Sequence, residues 1–526
     1  MDFSLETPLQ NLLFETDPNE NLTFEHDLIR NESEFQDFLE KISQNPEVPI
    51  VSLSLSFLPK KWAAKFFQNL KEMSAKHPIF AKLKKLRISH TNIPSETLID
   101  LLKNIKSEIL ELNLSSNPLT ISDNTIIELN KLENRKSLRT LILKNNKQIT
   151  DKTLEILDLP NLICLNLSNC SITDIGLLQF NMNPCFSKLE VLNLSRNHEI
   201  QTFQELHLPK LLELEIAYCK LEADFVKNII KSDFHSNLKV MNIGNLASYD
   251  AKSVFQEIVK GFVNNKAKFA KVEKLNLENV CVLDEDLGIL LNLFENVKAL
   301  NLNNNKFLTS GCFKALEQRK GNLRVLGLEN CQISNENIDK FLDFNMEMLG
   351  YLNLNNNIDL GDKGLFAILK KTSKNLEYLF CANCSLSHEI SCILKEKQEN
   401  LHSLKFLNLR GNQSFTNKGF EILTLCPFFP NLKFLNLSDT GLDDEAIKIF
   451  MENKPGIGFP FHDLRLAQNR ITPEALKVLF FGFQQDFKYL EKFEMGSYEC
   501  MEEFEGKNEM EKKGVLVVGM IGDIFD

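Results

Sequence analysis

The stretch LGYLNLNNN, residues 349–357, decides how this chain folds. In a short strand Leu352 and Leu354 point to one side, while Tyr351, Asn353 and Asn355 point to the other. Asn357 follows where the chain must turn, and its amide can satisfy backbone groups that would otherwise be buried unpaired. The same pattern, L-x-x-L-x-L-x-x-N, returns as LEVLNLSRN from Leu189, VKALNLNNN from Val297, LKFLNLRGN from Leu404 and LKFLNLSDT from Leu432. Further copies start at Leu83, Ile109, Leu138, Leu162, Leu211, Leu238, Val272, Leu323, Leu376, Phe461 and Leu490, with a degenerate one at Ile50. From Leu83 to Leu490 the mean spacing is about 27 residues, a period that marks a stacked array rather than a single core.

The second half of each period carries a different rhythm. Residues 173–180, 362–369 and 473–480 place apolar side chains at i, i+3, i+4 and i+7, which is helical spacing. Thr173, Ser334 and Thr472 stand where a helix N-cap is wanted. Two periods depart from the rule. The Leu189 period has 22 residues and no room for a full helix, whereas the Leu238 period has 34, carries Leu246 at the closing position and leaves space for an extra helix near 250–263.

On these strings the chain resembles the leucine-rich-repeat family. Cys170, Cys219, Cys331 and Cys384 take the closing position, alternating with Asn from Asn146 to Cys219 and from Asn305 to Asn412. That two-repeat alternation resembles the ribonuclease-inhibitor-like class. The resemblance implies an α/β solenoid, a horseshoe with parallel strands on the concave face and helices on the convex face. Residues 50–498 would hold about sixteen repeats plus the degenerate first one. Residues 1–49, with an amphipathic segment at 34–42, would form an N-terminal helical cap, and 499–526 an acidic C-terminal tail.

Bulk properties agree with an array. A chain of 526 residues exceeds the roughly 250–300 that one core supports. Its 40 Phe against 6 Tyr and 1 Trp suit a repeated internal position for a large side chain without polar atoms. A net charge of −11 argues against a nucleic-acid partner. No window approaches the ~18 apolar residues of a membrane span, and no secretory signal opens the chain. The 12 cysteines are then expected as reduced thiols in a cytoplasmic compartment.

No phosphate loop, dinucleotide fingerprint, zinc-protease helix or calcium loop occurs. The expectation is a non-catalytic, monomeric chain with no cofactor and no metal. Cys381 and Cys384 form a C-x-x-C, but both fall on core positions of the template, and a zinc site wants further ligands. Asp284, Glu285 and Asp286 are placed in a repeat loop without companion ligands.

Strand alternation also names the residues on the open sheet face. The position between the two inner leucines is Asn at 113, 166, 193, 242, 276, 301, 353, 408 and 436, amides about 4.8 Å apart that could bond as a ladder. The position before them is Tyr351, Tyr378, Phe406 and Phe434 in four successive repeats, with Phe380 inside the adjacent L-x-L. These five rings are expected as one water-facing aromatic patch, a candidate protein-binding surface. Arg410, Arg465 and Lys492 on the same face would give it a basic rim for an acidic partner.

The expected function is therefore protein binding by the concave face. The Glu-rich run 499–513 before a hydrophobic terminal tripeptide resembles the C-terminal signals of bacterial type IV effectors, which would make the partner a host protein in the host cytosol. The alternatives are an enzyme inhibitor of the ribonuclease-inhibitor kind and a regulator of a ubiquitin-ligase or GTPase pathway. An F-box, the docking box of the ubiquitin alternative, is not found.

Overall fold

A computed structural model describes residues 51–56, 67–68, 72, 82–497 and 516–520, apart from 223, 235, 247–250, 265–268, 318–321, 337, 339–345, 373, 397–400, 454–460 and 483–489. The N-terminal segment 34–42 and the acidic run 499–513 lie outside the described residues. The chain divides into two compact units, Met1–Ile200 with Leu206–Leu211, and Gln201–Glu205 with Leu212–Asp526. The division falls in the short Leu189 period, where no helix forms between successive strands.

Every motif start produces a strand. In the first unit these are β1 (Ser52–Ser56), β2 (Lys85–Ser89), β3 (Glu111–Asn113), β4 (Thr140–Ile142), β5 (Cys164–Asn166) and β6 (Val191–Asn193), each parallel to the next. The second unit continues with β7 (Glu213–Glu215), β8 (Val240–Asn242), β9 (Lys274–Asn276), β10 (Ala299–Asn301), β11 (Val325–Gly327) and β12 (Tyr351–Asn353). After them come β13 (Tyr378–Phe380), β14 (Phe406–Asn408), β15 (Phe434–Asn436), β16 (Asp463–Arg465), β17 (Lys492–Ser497) and β18 (Leu516–Met520). All neighbours from β7 to β18 pair in parallel. The last strand lies inside the segment that the sequence assigns to a tail. Its Val-rich string lacks the L-x-x-L-x-L signature, so pattern alone could not register it.

Between strands the chain forms helices such as Asp174–Leu177 with Gln179–Met182, Gly361–Leu369 and Pro473–Gly482, where the spacing asks for them. The long Leu238 period holds a 13-residue helix, Ala251–Val263. Asp284, Glu285 and Asp286 open the helix Asp284–Leu293 rather than a loop, because acidic groups suit the positive end of a helix. Asp284 also accepts hydrogen bonds from the Thr309 amide (3.0 Å) and hydroxyl (2.6 Å) of the following repeat. Asp151 does the same for Thr173, and Asp444 for Thr472.

The core is a stack of leucines, with Leu349, Leu352 and Leu354 all fully buried. Phenylalanine fills the wider space against the helices. Phe262, Phe269 and Phe294 meet edge-on or tilted with centroids 5.0–5.6 Å apart, which accounts for the bias toward the ring without a polar atom.

At the closing position, Asn412 Nδ2 donates to the carbonyls of Leu409 (2.7 Å) and Cys381 (2.9 Å). Its Oδ1 accepts the amides of Cys384 (3.0 Å) and Leu386 (2.9 Å). In the first unit Asn117 Nδ2 likewise donates to Leu114 O and Ile88 O, and its Oδ1 accepts the amides of Thr91 and Asn92. A cysteine there keeps one of them: Cys170 Sγ donates to Leu143 O (3.3 Å), Cys331 to Leu302 O (3.4 Å) and Cys384 to Leu354 O (3.1 Å). Burial pushes these three thiols up to about 12. Cys381 is fully buried as well, and among the described residues no cluster of three or more His, Cys, Asp or Glu could hold a metal ion.

Thiol chemistry should follow this burial, since only a thiolate attacks. In the native protein, mass-spectrometric mapping after brief alkylation should find exposed Cys392 labelled, with Cys170, Cys331, Cys381 and Cys384 protected until denaturant is added. Rapid native labelling of Cys384 would contradict its place in the core.

Candidate protein-binding face

The aromatic residues come together as one strip within the second unit. Parallel pairing sets Tyr351 opposite Tyr378, Tyr378 opposite Phe406 and Phe406 opposite Phe434. Tyr378 and Phe406 stack with centroids 4.3 Å apart and planes 15° from parallel; Phe406 and Phe434 follow at 6.0 Å and 24°. These three rings are half-exposed.

Two of the five expected rings do not face water. Tyr351 is 2% exposed and Phe380 9%. Tyr351 packs against Tyr378 at 5.8 Å and Phe380 at 5.4 Å, so the rings at this end cover one another. Alternation assigns a residue to a face; it does not say whether neighbours on that face will bury it. The Tyr351 hydroxyl is buried without a hydrogen bond of ordinary geometry, Asn353 being the polar side chain beside it, and burial raises its pKa.

The basic rim is also reduced. Arg465 lies over the Phe434 ring with its guanidinium 5.0 Å from the centroid, and it pairs with Asp463 (2.8 Å) and Glu494 (3.6 Å). Lys492 stands 3.8 Å from Glu494. Arg410 is exposed and donates to Gln468 at 3.3 Å. Most of this positive charge is compensated within the face.

The nine inside asparagines do not form the expected ladder along the sheet. In each, from Asn113 to Asn436, Oδ1 accepts the backbone amide two residues later at 2.9–3.1 Å, closing a turn at the strand's end. Asn-to-Asn bonds run instead one residue before the closing position. There Asn145, Asn169, Asn279, Asn304, Asn330, Asn356 and Asn383 adopt φ between +50° and +63°. Asn tolerates this left-handed region better than other side-chain-bearing residues. Asn169 donates to Asn145 (2.9 Å), Asn279 to Asn245 (3.1 Å), Asn330 to Asn304 (2.9 Å) and Asn383 to Asn356 (2.7 Å).

Two of these chains end on carboxylates that sequence reading passed over. Asn304 donates to Glu278 (3.0 Å), with Asn301 on its other oxygen (3.3 Å). Asn356 donates to Glu329 (3.2 Å), with Asn353 on its other oxygen (2.9 Å). The signal was there in the strings LNLEN at 275–279 and LGLEN at 326–330. Gly327 makes room for the amides, because a Cβ there would meet Asn303 Oδ1 at 2.7 Å and Asn301 Oδ1 at 2.9 Å.

A family model described as Leucine Rich repeat matches residues 158–180, a span holding β5, its closing Cys170 and the helix that follows. Among solved structures, the chain is similar to one in the Rad7 and Elc1 complex from yeast, at 14% identity and a TM-score of 0.47, over 93% of this chain and 98% of that one. It is also similar to one in the TLR13–ssRNA13 complex, at 19% identity and a TM-score of 0.45, over 86% of this chain and 68% of that one. The chain is built as a leucine-rich-repeat array, and no helix among the described residues is long and apolar enough to cross a membrane.

Burial raises the Glu329 pKa, and the charge of Glu278 adds to the shift. A raised carboxylate contributes stability below the ordinary glutamate range, near 4.3, and that contribution is lost as pH rises through the folded value. Thermal melts of wild type and Glu329→Gln across pH 4–7 should show wild type losing ground to the variant as pH rises. Wild type gaining ground with pH would mean that Glu329 has a cationic partner in the free protein.

Proposed function

We propose that the open sheet face of the second unit binds another protein, and that Tyr378, Phe406 and Phe434 are its apolar anchors. The observation that carries this reading is the three-ring stack itself, held half-exposed on adjacent strands of a rigid ladder. Aromatic residues fixed before a partner arrives lose little entropy on binding, and such residues dominate interface hot spots. No constellation of nucleophile, base and acid gathers around them among the described residues.

The test separates anchor from core. Tyr378→Ala and Phe406→Ala remove half-exposed rings whose stacking is worth about 0.5–1.5 kcal/mol, so the melting temperature should change little. Tyr351→Ala removes a buried ring and should cost about 3–5 kcal/mol. With a partner captured from eukaryotic lysate and then titrated in pure form, either anchor variant should bind about thirtyfold more weakly, the ~2 kcal/mol of a hot spot. Unchanged affinity in both, with stability retained, would place the binding face elsewhere.

A further inference from the structure

The charge of this face indicates what kind of protein fits it, an inference that rests on the docking face proposed above. We propose that the occupant is a cationic segment of the partner, whose Lys or Arg side chains seat on Glu278 and Glu329 while neighbouring residues lie against the Tyr378–Phe406–Phe434 strip.

Glu278 and Glu329 repeat one constellation. Each carboxylate receives two amide N–H groups from the next repeat, one from an inside Asn and one from a left-handed turn Asn. The turn Asn in turn accepts from its neighbour, Asn330 to Asn304 and Asn383 to Asn356. The chains thus direct their N–H ends at the two carboxylates and hold them in place. Among the described residues no Lys or Arg pairs with either one, whereas Arg465 and Lys492 on the same face have acidic neighbours. Near the rings' β12 end the unpaired charge is therefore negative, while Arg410, bonded only to neutral Gln468, leaves one cation at the other end; the proposal departs in this from the acidic partner expected from Arg410 and Arg465.

Glu329 adjoins the rings. Asn353, which holds Glu329, pairs in register with Phe380, and Phe380 packs on Tyr351. The Tyr351 hydroxyl, buried and lacking a well-formed hydrogen bond, feels the Glu329 charge. The rings already take a guanidinium, since Arg465 lies over Phe434. Strands are ~4.8 Å apart, so β9 and β11 place the carboxylates about 10 Å apart, the reach of some three extended residues. On a polyproline II segment, with three residues per turn and ~3.1 Å rise, cations three positions apart lie on one side about 9 Å apart and match that spacing.

Fluorescein-labelled nona-arginine and nona-aspartate serve as probes, read by anisotropy at fixed salt with the full chain. Nona-arginine should bind and nona-aspartate should not. The double variant Glu278→Gln, Glu329→Gln should weaken nona-arginine about tenfold or more. A control with the same loss of charge on outer helices, Glu128→Gln with Glu155→Gln, should stay within about twofold. Should the double variant melt early, the Glu278→Gln single variant replaces it and must still weaken binding more than the control. Equal weakening by the control, or tighter binding of nona-aspartate, overturns the cationic assignment. The captured partner distinguishes the two readings. If Tyr378→Ala weakens it and the Glu variants do not, the face stands and its cationic occupant falls; if neither does, the face itself falls.

Discussion

The structure depends on a recurring buried amide, present at Asn117, Asn146, Asn197, Asn305, Asn357 and Asn412 and replaced by Cys at intervening positions such as 170, 331 and 384. Asn412 joins the carbonyl of its own strand's end to the carbonyl and two amides of the turn before it, so each turn is completed by its neighbour. A polar loop could not otherwise lie beneath stacked leucines, because every unpaired backbone group buried there costs on the order of 1–3 kcal/mol. A left-handed residue precedes the closing position whether an amide or a cysteine fills it, as at Asn356 before Asn357 and Asn383 before Cys384, so the turn keeps one shape from repeat to repeat. Where Cys replaces Asn, one bond survives of four, which is tolerable when the adjacent repeats carry the full clamp.

Much of this was legible because the constraint is periodic. Leu352, Leu354 and Asn357 state the strand, its inner face and its turn; the apolar part recurs from Leu83 to Leu490, with Asn, Cys or another residue at the closing position. The irregular periods were legible too: the one with no room for a helix has none, and the long one holds Ala251–Val263. The pattern fails where a residue's role depends on its neighbours across the sheet. Tyr351 and Phe380 have the right alternation for exposure and are buried by adjacent rings. The inside asparagines have the right spacing for a ladder, yet the backbone amide two residues on is closer at hand. β18 went unseen because Val and Gly at its positions satisfy strand geometry without the leucine code.

The candidate face grows out of the same architecture. Because the leucines and the clamp fix the inner side, the open face of each strand can vary wherever its side chains stay solvent-exposed, as Tyr351 and Phe380 do not. In the second unit it carries two held carboxylates, then stacked rings, then a compensated cluster of Arg465, Asp463 and Glu494. Arg465 was legible as a surface cation but not as a spent one, since its partners Asp463 and Glu494 come together only through the register of β16 on β17. Glu278 and Glu329 were the opposite case, unremarked in sequence and significant because of the amides that converge on them.

The most direct measurement is the unfolding free energy of Asn412→Ala and Asn412→Cys by denaturant titration. The alanine variant strands two carbonyls and two amides inside the array, and it should lose about 3–5 kcal/mol or break the second unit's cooperative transition. Cysteine restores one donor and should recover part of that loss. An alanine variant within about 0.5 kcal/mol of wild type would contradict the account, because the repeats would then be held by their leucines alone.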